Sequence, residues 1–98
     1  MFKNGMRPVH PGEVLKEDYL IPLGMSANAL AKALHVPAPR INDIVLERRG
    51  VTADTAVRLS RFFRTTEQFW LNLQTRYDLA TTEAKIGARI KAEVLEAK

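Results

Sequence analysis

The chain has no cysteine, which removes a disulfide framework, a thiolate zinc site and a cysteine nucleophile together and suits the cytoplasm. Histidine is scarce too. His10 and His35 stand apart with no metal-ligand spacing, so the residues supply no catalytic or metal-binding constellation, and neither an enzyme nor a cofactor is expected. No apolar run approaches the roughly 18 residues of a membrane span, so no membrane partner is expected. The stretch Met1 to Pro8 lacks the apolar core of a signal peptide, so export is not expected either. Period-2 alternation never persists for more than a few residues, which leaves an all-α expectation. Net charge is low, +4, against 46% hydrophobic residues, so disorder is excluded. Dividing the 98 residues into two domains would give each a poor core, and residues 1–98 are read as one domain.

What charge there is sits in one place. Both flanks balance, while Ser26 to Arg64 holds seven bases (Lys32, Arg40, Arg48, Arg49, Arg58, Arg61, Arg64) against three acids (Asp43, Glu47, Asp54). That block carries the whole net charge and points to a polyanionic partner.

Helix punctuation is frequent. Pro11-Gly12 opens a helix through Tyr19, and Pro22-Leu23-Gly24 reads as a turn. Ser26 caps a helix to about Leu34, and Ala38 to about Leu46 makes the next, with Gly50 as its stop. Thr52 caps a fourth helix on which Ala56, Leu59, Ser60 and Phe63 share a face, and Thr65 with Gln68 reads as a capping box opening a fifth. The core bundle then spans about 7–80, and 81–98 forms an additional C-terminal helical segment that Gly87 weakens.

Leu30, Ala31, Leu34, Val36, Ile41 and Ile44 have the spacing of two short helices packed across a tight turn, a helix-turn-helix. With Ile41, Ile44 and Val45 inward, Pro39, Arg40, Asn42, Asp43 and Glu47 face outward on the second helix. Arg pairs bidentately with guanine and Asn with adenine, so Ala38, Pro39, Arg40, Asn42 and Asp43 are the candidate base-contacting set. Asp43 either accepts from cytosine, or it or Glu47 pairs with Arg40. Ser26, Asn28, Lys32, Arg48, Arg49 and Thr52 are the candidate phosphate contacts, and Arg58, Arg61 and Arg64 read as solvated. Phe69, Trp70, Leu73 and Tyr77, with Ile86, Ile90 and Val94, are the apolar surplus where a homodimer interface is placed, although Trp70 taken alone reads as core. The tail docks either on that dimer or on a partner.

Several motifs carry a resemblance. They are Val9-His10-Pro11-Gly12-Glu13, Arg40-Ile41-Asn42-Asp43-Ile44, the run Arg49 to Leu59, and Phe69-Trp70-Leu71-Asn72-Leu73-Gln74 with Tyr77-Asp78-Leu79. Over roughly Arg7 to Leu79 the chain resembles the HigA/VapI branch of the XRE, or lambda-repressor-like, helix-turn-helix proteins. The resemblance implies a five-helix bundle, a homodimer on a palindromic double-stranded DNA operator, repression of its own operon, and neutralisation of a small basic RelE-like, HigB-type mRNA-cleaving toxin. A stand-alone or phage-type repressor is the alternative. His35 and Arg64 depart from the family, standing where relatives usually have glycine, and a side chain at φ > 0 is uncommon.

Overall fold

The structure, a computed structural model, describes residues 7–97, so the leader reading for residues 1–6 lies outside it. Helix α1 starts at His10, whose Nδ1 accepts the Gly12 N–H at 2.9 Å while Pro11 supplies a preset helical φ. It covers residues 11–23 in three joined pieces: α-helical Pro11–Val14, π-helical Leu15–Leu20 and a last turn Ile21–Leu23. The turn expected at Pro22 is therefore a continuation. Proline lacks an N–H, and its ring collides with the carbonyl one α-turn back. The turn widens ahead of it, and Ile21 N–H donates to Lys16 O. Gly24, at φ 61°, ends the helix.

Four more helices follow: α2 Ala27–Leu34, α3 Ala38–Val45, α4 Ala53–Phe63 and α5 Glu67–Glu93. Ser26 and Thr52 cap α2 and α4 as expected, accepting from the N–H groups of Ala29 and Thr55. The cap of α5 is Thr66, which accepts from Phe69 N–H at 3.0 Å, and not Thr65. The Thr65 hydroxyl is taken by the indole, with Trp70 Nε1 donating to it at 2.8 Å. Nor does Gly50 stop α3. Glu47 does, in the left-handed region at φ 63°, where Arg48 N–H donates to Asp43 O at 2.8 Å.

The core joins Leu15 and Leu20 of α1, Leu30, Ala31 and Leu34 of α2, Ile41 and Ile44 of α3, Ala56 and Leu59 of α4, and Trp70 of α5. At roughly 1.5–3 kcal/mol for each large side chain, these few residues hold the bundle together. Gly12 sits where α1 meets the end of α3, and a Cβ there would lie 1.8 Å from Ile44 O. Val51 enters the core from the loop before α4, its N–H donating to Gln74 Oε1 at 2.7 Å. Among the described residues the fold is all-α, a bundle of five helices.

The additional C-terminal helical segment is present, as a continuation of α5. Helix α5 runs without a break through Ala80 and Gly87 to Glu93. Val94 is the C-cap, in extended backbone, with its N–H donating to Ile90 O at 2.7 Å. Trp70 is wholly buried within the protomer, which corrects its placement at an interface: a side chain enclosed by its own core offers nothing to a second copy. Leu73 is half-buried against the core, and half-buried Tyr77 meets His10 edge-on at 4.7 Å. Among the described residues, no helix is long and apolar enough to cross a membrane.

Candidate nucleic-acid interface

The side chains singled out for base contact all lie on α3, within its first six residues. Pro39 is exposed and Ala38, Arg40, Asn42 and Asp43 are half-buried, while Ile41 and Ile44 point into the core, as their spacing requires. Ser26, Asn28 and Lys32 are exposed on or beside α2, and Arg48, Arg49 and Thr52 are exposed on the far side of α3. Along the chain the eleven candidates run from the N-terminus of α2, through α3, to the N-terminus of α4. Two helix N-termini there add partial positive charge.

The hydrogen bonds these residues make were not readable from spacing. Asn42 Nδ2 donates to Asn28 Oδ1 at 2.7 Å and to Ala38 O at 3.0 Å, which ties α3 to α2. Asp43 pairs with Arg49 at 3.5 Å. Of the two alternatives for Asp43 and Glu47, the pairing with Arg40 is not formed. Its partner is Asp54 on α4, with Nη1 donating to Oδ1 at 2.8 Å.

Arg58 corrects a second expectation, since it is no solvated cation. Its Nε donates to the same Asp54 oxygen at 2.8 Å, and its Nη1 donates to Leu34 O at 2.8 Å, at the C-terminus of α2. Arg58 first, and Arg40 with it, hold the Asp54 carboxyl below its ordinary range. The Asp54 and Arg58 spacing of four residues on one helix was a readable signal for that pair; the reach to Leu34 and Arg40 was not. Beside this cluster, a concavity of about 450 Å³ is lined by Arg40, Arg49, Gly50, Thr52, Asp54 and Thr55. Among the described residues, no group of three His, Cys, Asp or Glu side chains is placed to hold a metal.

His10 belongs to the frame and not to the surface. It is buried, and desolvation lowers its pKa below 6.5, with the charges of Glu47 and Asp78 opposing that shift.

Comparison with known proteins agrees with this geometry. The helix-turn-helix family model matches residues 15–70. The virulence-associated protein I of Dichelobacter nodosus is 62% identical over 81 residues, covering 83% of this chain and 75% of that protein. The Pseudomonas aeruginosa antitoxin HigA, solved with the higBA promoter, superposes with a TM-score of 0.91 at 50% identity, covering 94% of this chain and all of that one (100%). The antitoxin GraA in complex with its operator gives a TM-score of 0.90 at 51% identity, covering 100% of this chain and 99% of that one. On this family match, identity and superposition, the chain belongs to the helix-turn-helix family, in its HigA/VapI-type antitoxin branch, with the five-helix lambda-repressor-like bundle of that family.

Proposed function

We propose that this chain is the DNA-binding antitoxin of a cytoplasmic toxin–antitoxin module. Two copies on a palindromic operator repress the operon, and the chain neutralises a small basic RelE-like, HigB-type toxin. The observation that carries this reading is the likeness, at 50% identity, to a HigA antitoxin solved on the higBA promoter. In this reading α3 enters the major groove by its N-terminal end. Ala38, Pro39, Arg40, Asn42 and Asp43 face the base edges. Ser26, Asn28, Lys32, Arg48, Arg49 and Thr52 contact phosphates from either side.

The test is a gel-shift titration on the duplex upstream of the gene, with and without the small basic protein encoded beside it, together with growth rescue on co-expression. Sequence-specific retardation and rescue are expected. Retardation without rescue would make the chain a stand-alone repressor, and rescue without retardation a protein-only antidote.

A further inference from the structure

We propose that Asp54 is the positioning residue for base reading, setting the guanidinium of Arg40 from the neighbouring helix. The inference rests on the assignment of Arg40 as a base reader made above. Asp54 stands in the first turn of α4, where the helix dipole favours a carboxylate. Its Oδ1 accepts from Arg58 Nε at 2.8 Å, and Arg58 is fixed in turn by donating to Leu34 O at 2.8 Å. The carboxylate is therefore anchored to the ends of two helices before it meets Arg40, across a separation of 14 residues.

Arg40 gives Asp54 a single Nη1 hydrogen bond, so most of its five N–H donors stay available for the O6 and N7 edge of guanine. A long side chain that is already oriented loses less freedom on docking. An exposed ion pair contributes little to stability, so orientation is the better account of this contact. The cost is a negative charge beside the phosphates, which weakens binding to any sequence. Asp54 thus favours the correct base and disfavours DNA in general, two effects of opposite sign that a structural residue would not show together.

The experiment measures base preference and affinity on a pool of randomised duplexes long enough for two half-sites. The proteins are the full chain, Asp54→Ala, Asp54→Asn, Arg40→Ala and the Asp54→Ala/Arg40→Ala double variant. Arg40→Ala should lose preference at one position per half-site. Asp54→Ala should lose about tenfold at that same position while binding bulk random DNA more tightly. Asp54→Asn, with an oxygen but no charge, should fall between and decides the matter alone if the alanine variant does not fold. In the Arg40→Ala background, Asp54→Ala should change no base preference. Preference untouched by both Asp54 variants, or altered equally without Arg40, overturns the proposal. An Arg40→Ala variant with full preference overturns the base-reading assignment itself, and the proposal with it.

Discussion

His10 Nδ1 accepts the Gly12 N–H at 2.9 Å, which only the neutral imidazole can do, while its ring packs edge-on against Tyr77. Burial sets the folded-state pKa below the unfolded value of 6.5. The linked stability is then complete above pH 6.5 and is lost as pH falls through the lowered value. Thermal melts should be flat above that pH and decline below it. His10→Asn keeps a cap oxygen but does not titrate, so it should be less stable at neutral pH yet show a shallower acid decline. Identical declines in both proteins would assign the effect to carboxylates such as Glu13. Arg64 makes a different residue-scale case, since at φ 60° its side chain sits in backbone that glycine adopts freely. A left-handed L-residue costs about 1–2 kcal/mol, while glycine gives up about 0.5–1 kcal/mol in chain entropy. Arg64→Gly should therefore raise Tm by a few degrees, and His35→Gly, at φ 59°, by less, because His tolerates this region better. A lower Tm for Arg64→Gly in a thermal melt would refute the balance.

At the scale of elements, caps and periodicity made α2, α3 and α4 legible, because Ser26, Thr52 and the inward Leu30, Leu34, Ile41 and Ile44 act within a few residues of themselves. The rest depended on tertiary context. Pro22 reads as a breaker until the preceding turn is allowed to widen, and Thr65 reads as a cap until Trp70 claims its hydroxyl. The outward face of α3 followed from about 100° per residue, but the partner of Arg40 lay on another helix, and no local spacing names it. The unbroken α5 was hidden by Gly87, which costs about 1 kcal/mol against alanine yet stays helical. A Cβ at Gly87 would meet Glu83 Oε1 at 2.8 Å, the far end of a flexible and exposed side chain that moves easily. Gly87→Ala should raise helicity by circular dichroism and slow amide exchange across residues 81–93. Faster exchange there would mean that the close approach outweighs the propensity gain.

Across the whole molecule, a neutral pair of flanks frames a basic centre, and the cations of that centre are not equivalent. Lys32 is exposed and makes no ion pair among the described residues, whereas Arg49 lies 3.5 Å from Asp43 and is partly neutralised before DNA arrives. Counterion release counts charge newly matched to phosphate. Lys32→Ala should lower the salt slope of DNA binding by about one, and Arg49→Ala by less. Both should weaken all sequences alike. An unchanged slope for Lys32→Ala would return that lysine to the solvated surface.

The long helix α5 sets the last expectation, for the proposed dimer. Its 27 residues reach about 40 Å in a molecule 51 Å long, and Trp70 is its sole fully buried residue. Beyond the bundle, Ile86 and Ile90 stay 40% and 41% exposed, one turn apart on the same face. A second copy removes that surface from water and also doubles the few base contacts of a single module, with half-sites about 34–36 Å apart or a multiple of that. Truncation after Ala80 removes the row but leaves the core residues, the Asp54 cluster and α3 in place. The shortened chain should sediment as a monomer at concentrations where the full chain is a dimer, and its Tm should lose its dependence on concentration. It should bind half-sites without cooperativity but with the same base preference. If it sediments and melts like the full chain, the dimer forms through the bundle instead, and the Ile86 and Ile90 row is left for the proposed toxin partner.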